Sequence, residues 1–506
     1  MFTAPRGAAL VRLLFVIVLL NSIPFAYAEL TTTVMAPLTI GNWQNPDDPE
    51  REHEWQTYAE ELKRLKELGV DAISTDVWWG IIEPERGQFN WRYYHKLFQV
   101  IRDAGLKWVP ILAFHKLGGN VGDDADIPLP NHVWSLWREY PQVFQSERDL
   151  MSRSELGNYN GEIIAPTATE YALDLYKTVM REFQREFVYA AEHIFEINIS
   201  LGPAGELRKP SYNPHDPDAQ YPGRGRFQIY GRLWRRGFIQ YIQQRYKSLT
   251  GLNERWGTGL GSFSEVAPPE DMEAFLQRRD HFGAYGMDVI DYQNEVLLRH
   301  QELLIGSAFD EFDHAQAPFQ DIDIGAKIPG IHWRMGHDRL AELASGLVRT
   351  SYGEDKWNTA ESGYGYLATL EGFKKIAERA RSSRFVLHFT ALEMDNGDGG
   401  PHVGSEAKSL VFYMADAAQR LGLTIKGENA LSFKLNEERA WWNIKDAIEH
   451  GPYFGLTYLR HNTIMSSESA LRGLSDFMDW RSRRCDLLLR QPPELQGLRS
   501  PHQTAH

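Results

Sequence analysis

Eight short apolar runs recur along this chain, and stretches of helical spacing lie between them. That alternation is the signature of a parallel sheet covered by helices. The runs are residues 33–38, 71–78, 107–115, 194–200, 323–328, 385–390, 423–427 and 453–459. After the first, Trp55, Tyr58, Leu62, Leu65 and Leu68 repeat at helical spacing, and Gly69 is the stop signal. Asn90 is placed to cap the next helix, which Gly105 ends. Thr167 and Glu170 have capping-box spacing, predicting a helix that runs to about His193. A large insertion follows the fourth run. It begins rich in Pro and Gly, then turns helical with Tyr230, Leu233, Phe238 and Tyr241 on one face.

Eight βα units predict an α/β fold: a (β/α)8 TIM barrel with long βα-loop insertions, which accommodates a 506-residue chain. A doubly wound open sheet would carry a glycine-rich loop after its first strand, and Thr39-Ile-Gly-Asn-Trp43 is not one. No Ser/Thr/Pro-rich linker divides the chain, so the expected layout is one barrel over 29–480 with a polar tail over 481–506 that composition leaves free to be disordered. The first 28 residues read as a signal peptide, with Arg6 and Arg12 ahead of an apolar run and Ala26-Tyr27-Ala28 as the cleavage site. That reading predicts a secreted protein, extracellular or periplasmic, starting near Glu29 and free of the membrane once the segment is removed. Cys485 is the only cysteine, so no internal disulfide is available and the fold must rest on core burial.

A net charge of −14 argues against a nucleic-acid partner, because phosphate binding needs a basic surface. The same charge is compatible with a neutral polysaccharide. The 15 Trp and 22 Tyr include potential sugar platforms, although most aromatics serve the core. No zinc-binding, phosphate-loop or serine-elbow motif appears. The glycine-rich piece 118–123 reads as a mobile lid with Asp123 at its tip.

In such barrels chemistry sits at the C-terminal ends of the strands. Here those ends carry Asp76, His115, Glu206, Lys327 with His332 beyond it, Thr390, Glu428 with Asn429, and Arg460. Any one could be a structural polar group, but their recurrence at one rim favours a site. Glycoside hydrolysis needs two carboxyl groups flanking the scissile bond. Glu206 and Glu428 fit as a pair from separate strands. Asp76, Glu83, Asp123 and Glu393 compete for the role, and Glu206 could instead be the partner of Arg208 in a salt bridge.

Four motifs carry a resemblance to a known family: Asp76-Val-Trp-Trp-Gly80, His115-Lys-Leu-Gly-Gly-Asn-Val-Gly-Asp123, Gly202-Pro-Ala-Gly-Glu-Leu-Arg208 and Gly427-Glu-Asn-Ala-Leu431. With Lys327-Ile-Pro-Gly-Ile-His-Trp333, Phe389-Thr-Ala-Leu-Glu-Met394 and Leu456-Thr-Tyr-Leu-Arg460, they resemble the β-amylases of glycoside hydrolase family 14. Tyr221-Pro-Gly-Arg-Gly-Arg-Phe227 points to the bacterial members. The resemblance implies exo-acting release of β-maltose from non-reducing ends of α-1,4-glucans, with inversion. It makes Glu206 the general acid and Glu428 the general base. Asp76, His115 and Arg460 would bind the terminal glucose units, with Asp123 closing over them. Lys327 and His332 would hold the leaving side. Thr390 would sit on a second mobile segment, and Asn429, Ala430 and Leu431 would line the site.

The chain departs from that pattern at several positions. Leu117 and Ala391 stand where the family often has Cys, Lys209 where it has Tyr, Arg334 where it has Trp, and His388 where it has Asn. Ser432-Phe433 replaces the usual Pro-Arg/Thr. These changes bear on sugar subsites and chain length, not on the reaction. No cofactor or metal is expected: the calcium bound by some bacterial members near the position of Glu83 would lack its Asp-Asn ligands in Pro84-Glu85-Arg86-Gly87. The expected partner is an α-1,4-glucan or maltose, and the chain is expected to act as a monomer. Two other readings remain: a glucan-binding or sensory protein on the same scaffold, and a barrel glycosidase of shifted specificity.

Overall fold

Parallel pairing joins eight strands in chain order and then closes the last onto the first. They are β1 (Thr31–Met35), β2 (Ala72–Trp78), β3 (Lys107–Ala113), β4 (Glu196–Ile199), β5 (Asp323–Ile328), β6 (Phe385–Phe389), β7 (Thr424–Glu428) and β8 (Tyr453–Tyr458). A computed structural model describes residues 30–118, 123, 125–212, 214–333, 339–350 and 366–489, with side chains to 484. The expected signal peptide, positions 119–122 of the expected lid and Arg334 lie outside the described residues.

The fold is the predicted (β/α)8 barrel, with differences at element ends. β1 starts at Thr31, opposite Gly455, and stops at Met35 rather than 38, because Pro37 has no N–H to give a ladder. β7 runs one residue further than expected, so Glu428 is itself a strand residue paired with Thr457.

The longer helices are α1 (Glu52–Glu67), α2 (Arg92–Asp103), α3 (Thr169–Glu186), α4 (Arg232–Tyr246), α5 (Ala284–Phe312), α6 (Leu367–Ala377), α7 (Ala407–Leu421), α8 (Glu438–His450) and α9 (Glu468–Leu489). In α1 the apolar stripe Trp55, Tyr58, Leu62 and Leu65 is buried against the barrel. Each such side chain contributes roughly 1.5–3 kcal/mol. Glu52 and Glu54 open that helix and Arg64 and Lys66 close it, complementing its dipole. Gly69 takes φ 96°, a left-handed conformation that ends the segment.

Two predicted caps are not used as expected. Asn90 accepts a hydrogen bond from Arg92 N at 3.2 Å, but the residue before α2 is Trp91. The Thr167–Glu170 box does not form. Pro166–Ala168 makes one tight turn, and Thr169 then opens α3, its hydroxyl donating to Pro166 O at 3.0 Å. α3 also stops at Glu186, and a separate 3-10 turn, Val188–His193, completes the way to β4.

The insertion between β4 and β5 builds its own core. Phe227, Trp234, Phe238, Ile242 and Leu252 pack with Val289 and Ile290 of α5, while α5 also lies along α3. The barrel end opposite the strand C-termini is latched by α9. Its Arg481 pairs with Asp71 and donates to Leu30 O at 3.1 Å, Thr32 Oγ1 at 2.9 Å and Gly69 O at 3.0 Å. The boundary expected at 480 therefore falls inside a helix that belongs to the barrel.

The barrel interior is polar. Glu196 of β4 receives Lys426 Nζ at 2.6 Å and lies 2.5 Å from His388 Nε2. All three are buried. Gly325 makes room for the cluster: a Cβ there would lie 2.2 Å from Asn198 Oδ1 and 2.5 Å from Glu196 Oε1. Burial opposes ionisation of Glu196, but the charges of Lys426 and His388 hold its carboxyl well below the usual range.

Candidate active site

Glu206 and Glu428 reach the C-terminal mouth of the barrel by different routes. Glu428 is the last residue of β7 and is almost wholly buried, at 3% exposure. Glu206 follows the turn Gly202-Pro-Ala-Gly205, which folds back on itself. A Cβ at Gly202 would lie 2.3 Å from Glu206 O, so the turn requires glycine there. Glu206 then bridges to Lys327 at the top of β5, where Leu207 N donates to Lys327 O at 2.9 Å.

Lys327 ties the two carboxylates together. Its backbone holds the Glu206 segment, and its ammonium sits 2.6 Å from Glu428 Oε2. Glu206 has its own cation: Arg208 Nε donates to Oε2 at 3.2 Å, so the salt bridge considered from the sequence is present. That contact does not pull the Glu206 carboxyl below its ordinary range. Burial raises the Glu206 pKa, the charges of Arg208 and Lys327 lower it, Glu428 raises it, and the net direction is up.

Asp76, at the end of β2, shares this field. Burial is the largest cause lifting its pKa to about 6; Lys327 and Arg460 oppose the shift, and Glu428 and Asp123 add to it. Lys327, Arg460, Glu428 and Asp123 are thus all within electrostatic reach of Asp76. Asp123 Oδ2 accepts from Gly118 N at 3.0 Å. Arg460 Nη1 is buried without a hydrogen-bond partner among the described residues. Such a donor suits a ligand hydroxyl.

The two histidines are neutral. His115 is pushed down to about 3 by burial and by the charges of Lys327 and Arg208, and its Nδ1 lies 2.7 Å from Ser200 Oγ. His332 falls to about 4, mainly through burial, with Nδ1 2.8 Å from Ser405 Oγ. Neither of these histidines therefore titrates near neutral pH.

Four expected site residues are held by hydrogen bonds that involve the backbone. Asn429 donates to Leu459 O at 2.8 Å and accepts from Leu459 N at 2.7 Å, which sets the segment bearing Arg460. Thr390 Oγ1 accepts from Gly330 N at 3.0 Å. The amides of Ala430 and Leu431 both donate to Glu393, at 3.0 and 2.7 Å. Glu393 thus shapes the loop after β7, and burial lifts its pKa to about 7. Glu83, another competing carboxylate, lies in the wall: its oxygens accept from Trp79 Nε1 at 2.7 Å and Gly87 N at 2.8 Å. Ser200 and Glu393 lacked a sequence signal for these positioning contacts, because each acts through a partner distant in the chain.

A parallel barrel that gathers carboxyl groups from several strand ends at one mouth has the groups that glycoside hydrolysis requires. The family follows from comparison with known proteins. The sequence profile of Glycosyl hydrolase family 14 matches residues 33–484, and the chain belongs to that family. It is 33% identical over 418 residues to a beta-amylase of Niallia circulans, covering 82% of this chain and 66% of that protein. It is 32% identical over 454 residues to a beta-amylase of Cytobacillus firmus, covering 89% of this chain and 86% of that one. Among solved structures, the catalytic domain of beta-amylase from Paenibacillus polymyxa superposes with a TM-score of 0.73 at 31% identity, covering 89% of this chain and 98% of that domain. No helix among the described residues is long and apolar enough to cross a membrane.

Proposed function

We propose that this protein is a secreted, exo-acting β-amylase that removes β-maltose from the non-reducing ends of starch-type α-1,4-glucans by an inverting reaction. The observation that carries the reading is the pairing of Glu206 and Glu428 about Lys327, with the Glu206 carboxyl shifted toward its protonated form. The names of the relatives supply the substrate class.

In this reading Glu206 gives its proton to the glycosidic oxygen as the bond from that oxygen to the anomeric carbon breaks. Glu428 takes a proton from a water that attacks the same carbon from the opposite face. Such a pair must leave room for the water, roughly 6.5–9.5 Å between carboxyl groups. Proton exchange with solvent then resets both groups. Asp76, His115 and Arg460 grip the non-reducing end, and Asp123 closes over it. Lys327 and His332 hold the leaving side. Thr390, Ala430 and Leu431 contribute lining, with Asn429 positioning the segment beneath Arg460. The 1–28 segment is removed on export, and the enzyme acts as a monomer.

Chromatography of the products from soluble starch tests this directly. Maltose alone is expected from the earliest time points. Glucose, or a ladder of long oligosaccharides, contradicts it. Binding of maltoheptaose with no hydrolysis would favour a glucan-binding protein.

A further inference from the structure

Two large side chains on the barrel mouth stand open to solvent: Phe433 at 59% exposure and Tyr221 at 46%. Single exposed aromatics are ordinary. These two are distinguished by where they are held. Tyr221 lies in the loop after β4, its ring 6.4 Å from that of His332 and 5.1 Å, edge-on, from that of Trp333. Trp333 is itself pinned, donating to Tyr212 OH at 2.8 Å and Gly223 O at 3.1 Å. The loop after β6 passes against the Tyr221 hydroxyl, since a Cβ on Gly399 would lie 3.3 Å from it.

Phe433 sits in the 3-10 turn Ser432–Asn436, just past Leu431. Its neighbour Lys434 reaches back to that same loop after β6, 3.0 Å from Asp398. The charges of Asp398 and Lys434 both act on Tyr221 and on His332. Three rim loops are thereby locked together around His332, and each aromatic is carried on one of them with area left uncovered.

An α-1,4-glucan presents the apolar C–H faces of successive pyranose rings, which stack on aromatic side chains. We propose that Tyr221 and Phe433 form an accessory glucan subsite on the leaving side, where rings beyond those gripped by His332 are held. This inference rests on the β-amylase reading and names what that reading does not: the side chains that would hold rings beyond the first two on the leaving side. Maltotetraose, cut to release maltose, leaves only two rings on the leaving side and cannot reach this subsite fully. Maltoheptaose and amylose can.

The test compares kcat/KM for maltoheptaose and maltotetraose in the wild-type enzyme, Y221A, F433A, the double variant and F433W. The selectivity ratio for the longer chain should fall about fivefold in each alanine variant, carried by KM, and return in F433W. An unchanged ratio, or an equal loss on both substrates, overturns the proposal. Calorimetric binding of maltoheptaose to the same variants built on E206Q reads the subsite without turnover. If the wild-type enzyme cuts neither oligosaccharide, the functional reading fails, while weaker binding in those variants would still support the platforms.

Discussion

Lys327 Nζ lies 2.6 Å from Glu428 Oε2, and the backbone of the same lysine pairs with the segment that carries Glu206. One residue of β5 therefore fixes both proposed catalytic carboxylates, one through charge and one through the main chain.

Lys327→Met keeps the backbone pairing and deletes the charge. Lys327 lowers the Glu206 pKa, so its loss lets Glu206 hold its proton to higher pH. The alkaline limb of the kcat/KM profile should move up, with kcat reduced. A profile that stays in place would show that Lys327 does not tune the acid.

Glu206→Gln keeps the shape of the side chain and removes the proton donor. Turnover of maltoheptaose should drop by about 10³-fold or more, while calorimetry still reports maltose binding. Near-normal turnover would remove Glu206 from the acid role.

Asp76 has its pKa raised to about 6, so its charge is lost as pH falls through that value. The ionised carboxylate is the better acceptor for sugar hydroxyls. KM should therefore rise as pH drops from 7 to 5, and Asp76→Asn should flatten that dependence. The same slope in the variant would place the titration elsewhere.

Arg481 closes the bottom of the barrel with one ion pair and three hydrogen bonds to backbone and Thr32. Arg481→Ala should cost about 1–3 kcal/mol in denaturant unfolding, leaving Asp71 with the Thr32 amide but no cation. A loss below about 0.5 kcal/mol would mark the latch as incidental.

Inside the barrel, Lys426→Met should be more damaging, because it takes the ammonium away from the buried Glu196 carboxylate. A cost of about 3–5 kcal/mol is expected. In the wild-type protein the depressed Glu196 pKa contributes stability above the ordinary carboxylate pKa, and that contribution is lost as pH falls. Lys426→Met should therefore show a shallower loss of stability on acidification, measured by urea unfolding from about pH 6 down to about pH 3.

The barrel was legible because its strands are short apolar runs and its polar residues recur at their ends, a pattern local to each βα unit. Glu206, Lys327 and Glu428 could be read from the strand ends for that reason. What sequence could not give were contacts made across the barrel. Glu393 binds the amides of Ala430 and Leu431, Asn429 spends both ends of its amide on Leu459, and Arg481 returns to Asp71 over the length of the chain. Caps failed similarly: Thr169 turned to Pro166 and His300, which local spacing does not reveal. The family resemblance supplied roles for strand-end residues, whereas the substitutions at His388 and Phe433 acquire meaning only from their neighbours, Glu196 for the first and the locked rim for the second.

The central claim is an inverting Glu206–Glu428 pair, and the anomeric form of newly released maltose tests it most directly. Proton NMR of maltoheptaose during the first minutes of reaction, before mutarotation, should show the β-anomer of maltose accumulating first. An α-anomeric product would contradict the account.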